Sequence, residues 1–508
     1  MTEPRQRRID PSRRRARLHQ LAWQQLRHGF APTEPLSADA IEALHRASLT
    51  ILGEIGIRML TPEARQAFRR AGAKVDEDSQ IVRFDAELVA QALTTVPERI
   101  VLHARNPARD VEIGGDKLAF ASVLGPPYCT DIERGRRTGN FADYCDLLRL
   151  GQFFNIIHLM AGSPVEPQDI EIAVRHLDAT RAMLALSDKV PYVFLHSHER
   201  IMDVLTMIAL SRGLDLDRLR AEPSVYSIVN ANSPLQYDKP MLDGIMTMAE
   251  FGQPVLLTPF TLAGATAPVF MAGTLAQQNA EILAGVVLGQ LVRPGAPVVY
   301  GGASKNVDMR TGAPAYGSPD QVRAAQVSGQ LARRYRLPFR SSNFCRSNAA
   351  DAQAAYESQF TTWGAISGGV NLLMHAAGWL EGGLCASFEK FVIDVEILQS
   401  MVAAMEPIVV DEEHLAIEEI AAVGHGGHFF GSPKTLANYE TAHYQPLLTE
   451  SRGHDAWREA GGLDATQRAH RIWKQALKDY EAPPTAPDIA GALDEFVARR
   501  KGEGGSPL

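Results

Sequence analysis

The chain has 508 residues, 45% of them hydrophobic and 22% charged, with a formal net charge of −8. That is enough apolar material for a large core, and the acidic balance excludes a surface built for nucleic acid. No apolar run reaches the ~18 residues that a bilayer-spanning helix needs, so no membrane association is expected.

Residues 1–37 begin with Arg5, Arg7, Arg8, Arg13, Arg14, Arg15 and Arg17, followed by His-Gln-Leu-Ala-Trp-Gln-Gln-Leu-Arg. That stretch is too polar for an export signal, although an Arg-rich amphipathic start also suits a mitochondrial presequence. We expect a frayed or docking tail that turns helical near Leu18. Residues 38–115 read as a helical lead-in with small β elements. Ser37 stands as an N-cap before apolar residues at helical spacing, and Val82-Arg-Phe alternates like a strand.

From 116 to 405 a rhythm sets in. Apolar runs fall at 118–122, 155–160, 192–196, 225–229, 254–258, 297–301, 337–341 and 371–375, at intervals of roughly 30 to 43 residues. Helical patterns lie between them, for example at 240–251, 276–292 and 319–335. Apolar strands alternating with amphipathic helices predict a parallel sheet, and eight of them predict an α/β fold of the (β/α)8 TIM-barrel type, with an N-terminal helical extension and C-terminal helices. No GxGxxG string follows any of the runs, which weakens a dinucleotide-binding alternative. Residues 406–501 should pack on the barrel as a Gly/His-rich turn and helices at 464–480 and 488–501, and 502–508 (GEGGSPL) should be disordered.

The active site of such a barrel lies at the carboxyl ends of its strands. The residues there are polar, aromatic and glycine-rich: Asn230 and Asn232, Phe260, Tyr300, Phe344, then His375, Trp379 and Glu381. Single serines and asparagines at strand ends often only cap the next helix, but together these residues describe an open polar and aromatic cup. The four cysteines (Cys129, Cys145, Cys345 and Cys385) are dispersed without a CxxC pair, which fits a reducing, cytoplasmic setting. No HExxH or His/Cys cluster is present, so no metal is expected.

Several strings, in this order, resemble motifs of the trimethylamine methyltransferase family: 124–138 (LGPPYCTDIERGRRT), 230–235 (NANSPL), 262–297, 351–357 (DAQAAYE), 424–430 (GHGGHFF) and 445–461. The resemblance runs from about residue 38 to about residue 490. It implies a (β/α)8 enzyme, commonly a homo-oligomer, that demethylates a small methylated amine and methylates Co(I) of a corrinoid (cobalamin) carried by a cognate partner protein. The founding enzymes carry pyrrolysine just before the DxQAxYE-like string. Here that loop holds ordinary residues, with Asn348 or Ala349 at the matching position and Asp351 and Glu357 following. The resemblance therefore points to the branch without pyrrolysine, which includes enzymes acting on quaternary amines such as glycine betaine. A quaternary nitrogen leaves as a neutral amine and needs no covalent activation, so no protein nucleophile is expected.

A permanent cation calls for aromatic faces and a nearby carboxylate. Phe260, Tyr300, Phe344, Trp379 and Phe430 are the candidates, with Glu357 or Glu381 as charge partner. Asn230, Asn232, His375 and the amides around Gly426 and Gly427 could hold a betaine carboxylate, and His425, Gly426, Gly427, His428 and Phe430 are expected to face the corrinoid. Trimethylamine or another N- or S-methyl donor is the alternative within the class. A catalytically silent barrel that binds betaine or docks a corrinoid protein is the alternative outside it.

Overall fold

A computed structural model describes residues 18–506, so the arginine-rich stretch 1–17 lies outside the described residues. All eight predicted strand positions are occupied. Lys117–Phe120, Leu372–Met374, Phe339–Ser342, Val298–Gly301, Val255–Leu257 and Ser227–Val229 pair in parallel in that spatial order. Parallel bridges Ala121–Leu159, Leu159–Val190 and Tyr192–Tyr226 carry the ring through the second and third positions and close it. These are short, fully buried strands, so they read as continuous apolar runs rather than alternating ones.

Two apolar layers hold the barrel. The lumen contains Ala119, Ala121, Leu159, Tyr226, Leu256 and Val299. The antiparallel hairpin Ile100–Leu102 with Val111–Ile113 closes its amino end, adding both isoleucines, Leu102 and Val111 to the same cluster. Outside the strands, helix Met271–Val292 is buried at every residue from Thr274 to Gln290. Its apolar residues run round the whole helix and its few polar ones are buried with them, so it must be covered on every side, and helices Ala38–Thr50, Ala86–Leu93 and Lys239–Glu250 pack against it. The lead-in is thus part of the barrel wall.

Two terminal expectations are corrected. Residues 18–36 form no helix; Leu26–Arg27 is instead an antiparallel strand on Leu118 and Lys117. Leu21, Trp23 and Gln25 turn inward at a period of two, and Gln25 donates to the Leu118 carbonyl, so tertiary pairing overrides the helical propensity of the stretch. The carboxyl tail is held in place as far as residue 506. Ser506 donates its amide to the Ala173 carbonyl at 2.9 Å and accepts from Arg200 Nε and Nη2. Gly505 (φ 67°) passes so close that an added Cβ would sit 2.3 Å from the Ala173 oxygen, so only glycine permits the approach. Residues 507–508 lie outside the described residues.

Helix Phe388–Met405 runs from the barrel mouth, and 18 residues span about 27 Å. Its far end meets Gly29, whose neighbour His28 bonds the Asp116 carbonyl at the start of the first strand. The chain therefore leaves for residues 406–446 at the closed end of the barrel. It returns at Leu447 and Leu448, whose amides donate to Glu396. No helix among the described residues is long and apolar enough to cross a membrane.

Candidate functional site

The motif residues of helix Met271–Val292 turn out to be the scaffold of the mouth. Gln278 Oε1 accepts from Ser304 Oγ (2.6 Å) and from the amides of Ala303 and Ser304, while its Nε2 donates to Ser328. Ser304 also bonds Thr261 through a short hydroxyl contact. The loops after the fifth and sixth strands are thereby tied to one buried amide. Glu281 does the same for the NANSPL loop, accepting from Ser233 Oγ and the Leu235 amide.

This scaffold places Lys305 wholly inside the protein. Its ammonium lies 4.7 Å from the ring centre of Phe260 and 5.0 Å from those of Tyr316 and Phe344, and it donates to the Ala303 carbonyl at 2.5 Å. Burial, reinforced by the charge of Arg340, pushes Lys305 down to about 7. The rings continue past it. Phe344 lies 5.6 Å from His375 and 5.5 Å from Trp379, and His375 and Trp379 meet at 4.2 Å. His375 holds a left-handed backbone (φ 54°), a strained setting for a non-glycine residue. Its Nδ1 is 2.9 Å from Ser342 Oγ. Burial, with Arg340 and Lys305 nearby, keeps its imidazole neutral by holding it well below the usual histidine range. Gly383 leaves room for the Trp379 indole, which a Cβ there would meet at 2.5 Å.

Arg340 is the other unexpected cation. Its register partners are Gly301 and Leu372, and Leu372 belongs to the lumen cluster, so Arg340 also faces the lumen. It is 2% exposed, and among the described residues its Nε and Nη1 have no hydrogen-bond partner. Burial pushes it down to about 10. Beside the lumen, at the ends of the second and third strands, a cavity of about 170 Å³ is lined by Tyr192, Phe194, Ser163, Glu166, His176 and His196.

The structure brings Phe260, Phe344, His375 and Trp379 of the expected cup together. Others lie elsewhere. Tyr300 pairs with Phe339 on the outer face, its hydroxyl 3.0 Å from Asn279 Oδ1 and its ring stacked on Tyr335. Side chains alternate along a strand, so with Gly301 turned to the lumen Tyr300 must face the helices. Asn230 is exposed, and Asn232 caps its own loop through Asp238. Asn348 and Ala349 are exposed, and Asp351 caps helix Ala352–Ser367. Glu357 accepts from the amides of Arg346 and Ser347, and Glu381 pairs with Arg136 at 2.9 Å; both carboxylates have partners within the loops. His425, Gly426, Gly427, His428 and Phe430 are exposed on the 406–446 segment, which is rooted at the opposite end of the barrel from this chain's own mouth. The Cys345 thiol, buried and pushed up to about 12, is no nucleophile. Among the described residues no group of three or more His, Cys, Asp or Glu could hold a metal.

Sequence reasoning missed Lys305, Tyr316 and Arg340. The signal for Arg340 was present, because an arginine inside the otherwise apolar run 337–341 has to be buried if that run is a barrel strand.

A parallel barrel with aromatic and cationic side chains converging at its carboxyl end defines an enzyme that binds a small ligand there. The trimethylamine methyltransferase (MTTB) family model matches residues 4–505, and the chain belongs to that family and is a methyltransferase. It is 37% identical over 471 residues to a glycine betaine methyltransferase of Desulfitobacterium hafniense (strain Y51), covering 92% of this chain and 98% of that protein. It is 29% identical over 477 residues to the trimethylamine methyltransferase MttB of Desulfitobacterium hafniense (strain DSM 10664 / DCB-2), covering 92% and 94%. Among solved structures, the monomethylamine methyltransferase MtmB of Methanosarcina barkeri shares the fold, with a TM-score of 0.50 at 10% identity over 89% of this chain and 90% of that one.

Proposed function

We propose that the protein moves a methyl group from the nitrogen of a small quaternary amine of the betaine type to Co(I) of a corrinoid held by a partner protein. The observation that carries the reading is the cluster of Phe344, His375 and Trp379 at the barrel mouth beside a 347–351 loop of ordinary residues. Aromatic faces attract a cation that has no N–H to donate. Reduced cobalt supplies the electron pair for the new bond to carbon, the C–N pair stays on nitrogen, and a neutral tertiary amine leaves. The protein's part is to orient the donor and exclude water. With His375 held neutral, the mouth suits a donor that arrives already charged. The glycine betaine methyltransferase among the relatives supports this choice over trimethylamine.

The methyl acceptor must reach the mouth on a second protein. Val269, Phe270 and Met309, in the loops after the fifth and sixth strands, are 62%, 79% and 74% exposed, an apolar rim suited to partner contact. Phe270→Glu should slow methyl transfer to the protein-bound corrinoid tenfold or more, while transfer to free cob(I)alamin stays within twofold (rough expectations for a rim anchor). Equal loss with both acceptors would remove the rim from the docking surface. Homo-oligomerisation is part of the reading, supported by exposed Ile408, Ile417, Phe430 and Tyr439. So is a cytoplasmic location, supported by four unpaired cysteines.

A further inference from the structure

We infer that Arg340, with Lys305 beside it, is the subsite for a carboxylate on the methyl donor, so that the enzyme selects zwitterions whose acid group sits a short tether from the quaternary nitrogen. This rests on the donor reading above and narrows it. The guanidinium stands in the lumen with Nε and Nη1 unpartnered among the described residues. Among the described residues no ion pair involves Arg340 or Lys305, although 35 are formed elsewhere. The phenols nearest in field to Arg340, Tyr192 and Tyr226, are engaged with the backbone. The Tyr226 hydroxyl donates to the Met160 carbonyl, and that of Tyr192 accepts from the Ile228 amide.

A buried charge without a counter-charge is among the least favourable arrangements a core can hold. Here Arg340 is such a cation, and Lys305 lies close enough for the fields of both to act on neutral His375. A carboxylate placed beside them would satisfy both cations through charge-assisted hydrogen bonds. The onium head of the same molecule would lie against Phe344 and Trp379. A donor with a cationic head and no acid group would meet only repulsion from Arg340. Choline and trimethylamine are disfavoured on that ground, and a short carboxymethyl tether is favoured.

The test separates the acid from the onium. Binding of glycine betaine, choline and 3,3-dimethylbutanoate (which keeps the carboxylate and shape of the betaine but has no positive charge) is measured by calorimetry on the full-length protein. The same ligands are then used as donors or inhibitors with Co(I) corrinoid. The wild type should bind 3,3-dimethylbutanoate competitively with glycine betaine and bind choline roughly 100-fold more weakly than glycine betaine. Arg340→Met should lose both carboxylate ligands by a similar factor and narrow the gap to choline, with Arg340→Lys partly restoring it. The wild-type competition stands even if Arg340→Met does not fold. Choline bound or demethylated as well as glycine betaine would overturn the subsite while leaving the onium reading intact. Carboxylate binding without demethylation of any onium compound would sustain the subsite and overturn the donor chemistry.

Discussion

Trp379→Leu should raise the KM for the methyl donor about thirtyfold, equivalent to roughly 2 kcal/mol of a desolvated cation–π contact, with kcat changed far less. The indole is 7% exposed and packs against His375, Phe344 and Tyr316, so leucine keeps most of the apolar contact and removes the π-face. Tyr300→Ala should behave in the opposite way. Its ring is buried between strand and helix and its hydroxyl bonds Asn279. Truncation should therefore cost about 3–5 kcal/mol of stability, leaving a cavity and the Asn279 Oδ1 without its donor, while the donor KM of the folded enzyme stays the same. Denaturant melts and steady-state kinetics on the two variants decide the matter. A KM effect at Tyr300 with none at Trp379 would place the donor on the wrong side of the sheet for this account.

Lys390→Met should destabilise the protein by about 3–5 kcal/mol near pH 8 and by less near pH 5. Lys390 and Asp394 are both wholly buried one turn apart on helix Phe388–Met405, joined by a short ion pair. Asp394 also accepts from the Gly378 amide at 2.8 Å. Burial raises the Asp394 carboxyl above its ordinary value. An acid with a raised folded pKa favours the fold while protonated, and that favour is lost as pH climbs through the folded value. With lysine gone, the penalty should grow with rising pH and shrink on acidification. A pH-independent loss would mean that packing, rather than the stranded carboxylate, is responsible. Because Asp394 anchors Gly378 beside Trp379, the variant should also raise the donor KM.

The barrel was legible because a buried parallel strand has no polar face to hide. Runs such as 254–258 and 297–301 announce themselves as strands whichever way they point. The same property conceals which side chains enter the lumen. Tyr300 and Gly301 are adjacent in an apolar run, and only the register with Phe339 and Arg340 turns the glycine inward and the tyrosine out. Lys305 and Arg340 were overlooked because charged residues are expected at surfaces or in pairs, and their burial follows from tertiary packing. Asn279 and Glu281 lie in one motif, and Ser233 in another. What these motifs build is the frame that holds the mouth, which could not be told from ligand binding without the contacts. His425 to Phe430, expected to face the corrinoid from their family-like string, lie on a segment that helix Phe388–Met405 roots at the closed end of the barrel.

Purified protein mixed with Co(I) corrinoid and a panel of onium and amine compounds, followed by absorbance, measures the methyl transfer itself. The account predicts the spectrum of methylated corrinoid with a quaternary donor bearing a carboxylate, and none with trimethylamine. Turnover of trimethylamine or another tertiary amine, with every quaternary onium compound inert, would contradict it.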